Sequence, residues 1–429
     1  MTDTRTPAFS TLAVHAGAAP DPTTGARATP IYQTSSFVFE TPEQAADLFG
    51  LRAFGNIYTR IGNPTNAVLE GRIAALEGGT AALAVASGHA AQAVTFQALM
   101  QPGDEFVAAR QLYGGSINQF NHTFKSFGWN VVWADATDIA SFERGLSEKT
   151  KAIYIESFAN PGGSVTDIAA IAAVAKKAGV PLIVDNTLAT PYLVRPFEHG
   201  ADIVVHSVTK FLGGHGNSIG GVVVDGGSFN WMAHADKFPA LTRPRPDYNG
   251  MVLAETFGNI AFAIATRVLG LRDMGPALSP FNAFLLATGI ETLPLRMQRH
   301  CDNALAVARH LSTHDKVAWV SYPGLPGDAS HELAKKYAPK GSGAVFTFGL
   351  KGGYAAGKGL VAGLKLFSHL ANVGDTRSLV IHPASTTHSQ LSDAQKVAAG
   401  AGPEVVRISV GIEDVGDIIA DLDQALAGV

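Results

Sequence analysis

Through the first half of the chain, short apolar runs alternate with stretches in which apolar residues recur every three to four positions. Short runs bounded by turn residues predict buried strands, and the longer recurrence predicts helices with one face in a core. Strands are expected at 81–86, 105–109, 131–134, 151–156, 181–187, 203–205 and 219–224. Helices are expected at 65–76, from Ser87 through Met100, and at 167–179, with Gly78 and Gly179 placed to close two of them. This alternation predicts an α/β domain with a mostly parallel sheet. From Pro280 a long helical stretch runs through Leu285, Leu293, Leu305 and Leu311. It is followed by expected strands at 344–350 and 405–410, a strand or helix at 364–370, a further element at 378–383, and a closing helix at 415–426. That is a smaller α+β pattern. Residues 1–60 carry Pro20, Pro22, Pro30 and Pro42 with little periodicity, and read as an arm that packs on a neighbouring subunit. The expected division is an arm at 1–60, a sheet domain at 61–275 and a C-terminal domain at 276–429.

Composition narrows the classes. A chain of 429 residues exceeds the usual reach of one core, and 46% hydrophobic with 16% charged residues is a globular balance. Lys and Arg number 32 against 36 Asp and Glu, a net charge of −4, so neither nucleic acid nor an anionic membrane is expected as a partner. No long apolar run predicts a membrane span, and the polar start predicts no signal peptide. The lone cysteine, Cys301, cannot build a disulfide framework and suits a reducing cytoplasm. No metal is expected.

In parallel sheets, ligands gather at the carboxyl ends of the strands. Ser87, Tyr113, Asn160, Asp185, Ser207 and Lys210 are all expected there. Lys210 follows the 203–205 strand, flanked by Ser207 and Thr209 and a glycine-rich loop. Burial or a nearby cation would lower its pKa and let the neutral amine condense with an aldehyde. The hydroxyls, with the amides of Gly88 and His89 at a helix start, could hold a phosphate beside it. A lysine and a phosphate site together are the requirements of pyridoxal 5'-phosphate (PLP). Asp185 is placed to keep a pyridine nitrogen protonated, and Tyr113 to pack on the ring. Arg407, inside an apolar strand, could grip an α-carboxylate through two hydrogen bonds. The alternatives are a solvent-pointing lysine and an arginine paired with a core acid.

The segments Tyr58-Thr59-Arg60-Ile61-Gly62-Asn63-Pro64-Thr65, Ser87-Gly88-His89-Ala90-Ala91-Gln92, Leu112-Tyr113-Gly114-Gly115, Val184-Asp185-Asn186-Thr187, Ser207-Val208-Thr209-Lys210 and Arg407-Ile408-Ser409-Val410-Gly411 run through nearly the whole chain. In this order they resemble the Cys/Met-metabolism family of PLP enzymes. Within it, 270–275, 279–284, 368–375 and 382–390 are most similar to the O-acetylhomoserine sulfhydrylase (O-acetylhomoserine aminocarboxypropyltransferase) branch. The resemblance implies a fold-type-I, aminotransferase-like PLP-binding domain and a homotetramer built as a dimer of dimers. It implies that Tyr58 and Arg60 reach the neighbour's cofactor phosphate, that Asn160 bonds the cofactor's phenolic oxygen, and that Asn372 helps Arg407 hold the substrate carboxylate. Lys210 and Tyr113 become the expected catalytic residues. The implied reaction converts O-acetyl-L-homoserine and sulfide to L-homocysteine and acetate, in methionine biosynthesis.

One position departs informatively. Gly115 stands where methionine γ-lyases carry a cysteine, which weakens an eliminating activity. A methionine γ-lyase, a cystathionine γ-synthase-type activity and a noncatalytic PLP-binding homologue stay open. A nicotinamide dehydrogenase lacks its Gly-x-Gly-x-x-Gly after the first strand.

Overall fold

The computed structural model describes residues 6–387, 389–390, 392–398 and 400–429. Met1 to Arg5 of the polar start, and His388 of the 382–390 stretch, lie outside the described residues.

Seven strands form the larger sheet: β1 (Ala81–Val85), β2 (Glu105–Ala109), β3 (Asn130–Ala134), β4 (Thr150–Glu156), β5 (Leu182–Asp185), β6 (Ile203–Ser207) and β7 (Gly221–Asp225). Their order is β1-β7-β6-β5-β4-β2-β3. Strands β2 to β6 pair in parallel, while β7 runs antiparallel to both β6 and β1. Strand β4 is buried along its whole length, and β5 and β6 at all but their last residues. Burial on both faces explains why these segments read as continuous apolar runs and not as alternation. The strand expected at 219–224 begins only at Gly221, so Ile219 stays in a loop and is exposed.

A second sheet contains β8 (Val317–Ser321), β9 (Val345–Leu350), β10 (Ser368–His369), β11 (Leu379–Ile381) and β12 (Val405–Ser409), in the order β10-β11-β12-β9-β8. Apart from the parallel β10–β11 pair, it is antiparallel. The 364–370 segment is mostly loop after helix Gly353–Gly363, with only the two residues of β10 as strand. The long helix expected from Pro280 is two helices, Pro280–Glu291 and Leu293–Ser312. Pro294 causes the break. It has no N–H to donate, its ring would clash one turn back, and it is tolerated only in a helix's first turn. The first of these helices packs on helix Pro64–Glu77, and the second on the closing helix Val415–Leu426 and on β8. Among the described residues, no helix is long and apolar enough to cross a membrane.

The arm contributes helices Phe9–His15 and Pro42–Phe49. It is pinned by Arg72 of helix Pro64–Glu77, which is only 2% exposed. Its Nε donates to Ala16 O at 3.1 Å and its Nη2 to Val14 O at 3.3 Å. Its Nη1 donates to Ala287 O at 2.9 Å and pairs with Glu291 at 3.2 Å. Burial holds this guanidinium below its ordinary pKa, with Glu291 opposing. One side chain thus ties together the arm, the sheet domain and helix Pro280–Glu291. Arg72→Ala removes the donor from three carbonyls and leaves Glu291 unpaired. It is expected to cost about 3 kcal/mol of unfolding free energy. A urea melt reads this as a lower midpoint, and an unshifted midpoint would remove Arg72 from the framework.

Candidate active site

The carboxyl ends of β1, β4, β5 and β6, with the loop after β2, converge on a cleft of about 240 Å³. Ser87 follows β1 and caps helix Gly88–Leu99, its Oγ accepting from Ala90 N at 3.1 Å. Gly88 and His89 are therefore the first two residues of that helix, where amides have no carbonyl one turn back to bond. They lie at its electropositive end. A Cβ on Gly88 would stand 2.8 Å from the Cβ of Ser207, so only glycine lets the helix start approach the end of β6 this closely. The Ser207 amide is held by Thr187 Oγ1 at 2.8 Å. The Thr209 hydroxyl accepts from Gly220 N at 3.0 Å and donates to Gly220 O at 3.2 Å, which fixes the turn that presents Lys210.

Lys210 lines the cleft and donates to Asn372 Oδ1. Burial, and then the charge of Arg407, lower its pKa from the ordinary 10.5 to about 8. A useful fraction is therefore neutral, nucleophilic amine near neutral pH.

Asp185 ends β5. Its Oδ1 accepts from Thr187 N at 3.0 Å and its Oδ2 from Tyr154 OH at 3.2 Å. Burial, then Asp185 and Glu156, push the Tyr154 phenol well up, so it remains a proton donor. Gln92 donates to Tyr154 OH at 2.7 Å and to Ser116 Oγ at 2.9 Å. Across the cleft, the Tyr113 ring meets the His89 ring edge-on, with centroids 6.0 Å apart. Gly115 makes this possible: a Cβ there would lie 2.3 Å from the Tyr113 ring and 3.0 Å from that of His89.

Arg407, on β12, reaches in from the smaller sheet. Its Nη1 donates to Asn160 Oδ1 at 2.9 Å and its Nη2 to the backbone carbonyl of Asn372 at 3.4 Å. Burial lowers its pKa, while Tyr113 opposes the shift. Asn372 thus serves Arg407 through its carbonyl and gives its side chain to Lys210.

The cleft brings together Ser87, Gly88, His89, Tyr113, Asn160, Asp185, Ser207, Thr209, Lys210, Asn372 and Arg407. It does not include Tyr58 and Arg60. They stay on the arm, where the guanidinium lies over the Tyr58 ring at 5.4 Å and donates to Arg272 O. Sequence reasoning missed Glu156, Tyr154, Gln92, Ser116, Thr187 and Ile219. Glu156 could have been found, being an acid at the end of an apolar strand like Asp185. Gln92 could also have been found, because it follows Gly88 by one helical turn and shares its face.

The Cys/Met metabolism PLP-dependent enzyme family matches the chain over residues 10–427. The chain belongs to that family. Similar Cys/Met-metabolism proteins include the O-acetyl-L-homoserine sulfhydrylase of Leptospira meyeri, 52% identical over 98% of this chain and 96% of that one. O-acetyl-L-homoserine sulfhydrylase 1 of Thermus thermophilus is 53% identical over 98% of this chain and all of its own. The homocysteine/cysteine synthase of Saccharomyces cerevisiae is 46% identical over 98% of both chains. A crystal structure from Campylobacter jejuni, assigned as an O-acetylhomoserine (thiol)-lyase and carrying a pyridoxyl-lysine phosphate, superposes with a TM-score of 0.94 at 40% identity. It covers 98% of this chain and 99% of its own.

The cofactor of a Cys/Met-metabolism enzyme is PLP, and the cleft fits it. The close Gly88–Ser207 approach, with the helix-start amides of Gly88 and His89 and the Ser207 hydroxyl beside it, has the donors a phosphate would need. The amine of Lys210 and the carboxylate of Asp185 share the same cavity. In the cofactor-free protein, labelling of Lys210 by an amine-reactive reagent is expected to rise through about pH 8. Arg407→Ala should move that midpoint upward, because a neighbouring cation no longer disfavours protonation. A midpoint near 10.5 in the unsubstituted protein would contradict the burial of this amine.

Proposed function

We propose that the chain converts O-acetyl-L-homoserine and sulfide to L-homocysteine and acetate, in methionine biosynthesis. The observation that carries this reading is the 52% and 53% identity to O-acetyl-L-homoserine sulfhydrylases over almost the whole of both chains. The cleft supports it, since Lys210, Asp185, Tyr113 and Arg407 stand around one cavity.

Bound PLP would supply an electron sink and a covalent point of attachment for the amino acid. Asp185 would face its ring nitrogen and Asn160 its phenolic oxygen. The amides of Gly88 and His89 and the hydroxyls of Ser207 and Thr209 would take its phosphate, and Tyr113 would pack on its face. Arg407 would hold the substrate carboxylate by two parallel hydrogen bonds. Lys210 would take the proton from Cα and move protons between Cα and Cβ. Tyr113 accepts the proton of the incoming ammonium group or assists departure of acetate. At Cγ a C–O bond breaks and a C–S bond forms. The acetyl oxygen leaves with the electron pair, and hydrosulfide supplies the new one.

The same reading places the division at 1–60, 61–275 and 276–429, and the protein in the cytoplasm. It also makes the enzyme a homotetramer built as a dimer of dimers. The arm supports this, because Val38 is 98% exposed, Phe54 68% and Phe49 59%. Such apolar exposure suits a surface covered by another copy. Tyr58 and Arg60, outside their own cleft, would complete a neighbour's phosphate site.

Two experiments test the reading. With sulfide and cysteine at equal concentration, homocysteine should be the main product from O-acetyl-L-homoserine. A small inorganic nucleophile needs little binding surface, whereas cysteine would need a second site for its own charges. Cystathionine as the main product would move the chain to the γ-synthases, and 2-oxobutyrate to the γ-lyases. For the shared site, mixing Arg60→Ala subunits with Lys210→Ala subunits should restore part of the activity, since one hybrid site then carries both residues. Verified hybrids with no recovered activity would count against it.

A further inference from the structure

Glu156 ends β4 and is 5% exposed. Both of its oxygens are used: Oε1 accepts from Tyr113 N at 2.6 Å and Oε2 from Asn160 N at 3.0 Å. Asn160 in turn accepts from Arg407 Nη1 at 2.9 Å. One carboxylate therefore reaches the loop after β2, which carries the cleft tyrosine, and the loop after β4, whose asparagine holds the cleft arginine.

The arrangement is costly. Glu156 is the register partner of Asp185 on the adjacent parallel strand, so a buried acid lies beside a half-buried one at the cleft. Burial, and then Asp185, push the Glu156 carboxyl well up, against the opposing pull of the Tyr113 and Asn160 amides. A neutral side chain would relieve the repulsion. Glutamine, however, has a single acceptor oxygen, and must present its NH₂ group to one of the two amide donors. The two oxygens of glutamate accept from both loops at once.

We infer that Glu156 is a positioning residue for the reaction proposed above: it sets the Tyr113 ring and, through Asn160, the orientation of Arg407. It acts through those groups and is not itself a catalytic residue.

The test compares the holoenzyme with its E156Q variant. L-norleucine has an amino acid's amine and carboxylate but no leaving group, so its binding reports on Arg407 and is read as a change in the absorbance of bound cofactor. E156Q should retain cofactor, bind norleucine more weakly by on the order of tenfold, and lose a similar factor in kcat with O-acetyl-L-homoserine. Norleucine affinity and kcat both within twofold of the parent would overturn the proposal. Loss of the cofactor would also overturn it, by assigning Glu156 to retention. If E156Q does not fold, E156D carries the same measurements: it keeps two acceptor oxygens but is one methylene short, so weaker norleucine binding is expected and unchanged binding overturns the proposal. The norleucine arm needs no turnover. An error in the substrate of the proposed reaction would leave it standing.

Discussion

Burial of the Lys210 amine sets the terms for the groups around it. An ammonium at the end of a core strand is poorly solvated, and a cation across the cleft makes its charge costlier still. The amine is thereby ready for chemistry before any cofactor arrives. The same burial imposes obligations on its neighbours. Thr209 must hold the turn against Gly220, Ser207 must be fixed by Thr187, and Asn372 must accept the hydrogen bond of the amine. The sheet meets these demands because β5 and β6 end at one rim, with β7 returning beside them.

Much of this was legible in the chain. Strands β4 to β6 are buried on both faces, so they appear as unbroken apolar runs that end where a polar residue first occurs. That is how Asp185, Ser207 and Lys210 could be placed on one rim without coordinates. The smaller sheet was less legible. Strand β10 has only two residues, too few to show any period, and the break at Thr292 is hidden by apolar residues that continue on both sides of Pro294. The direction of β7 could not be read either, because an apolar run looks the same for either pairing sense.

The site was legible by residue type but not by connection. Tyr113, Asn160 and Arg407 were each recognisable from their local segments, yet their joining depends on Glu156 meeting both Asn160, four residues on, and Tyr113, 43 residues back. Asn372 is similar. Its segment marked it as a partner of Arg407, but nothing local shows that the carbonyl would serve that role while the side chain turns to the lysine.

Asn372 therefore ties the Lys210 amine to the Arg407 guanidinium. In the proposed reaction the lysine amine would leave its resting place and travel, while the arginine would keep its aim. Because both are fastened to the same residue, a displacement of the 371–373 segment is felt at both ends. If the proposed roles hold, an engineer who reshapes that segment to admit a bulkier amino acid would retune proton transfer in the same stroke.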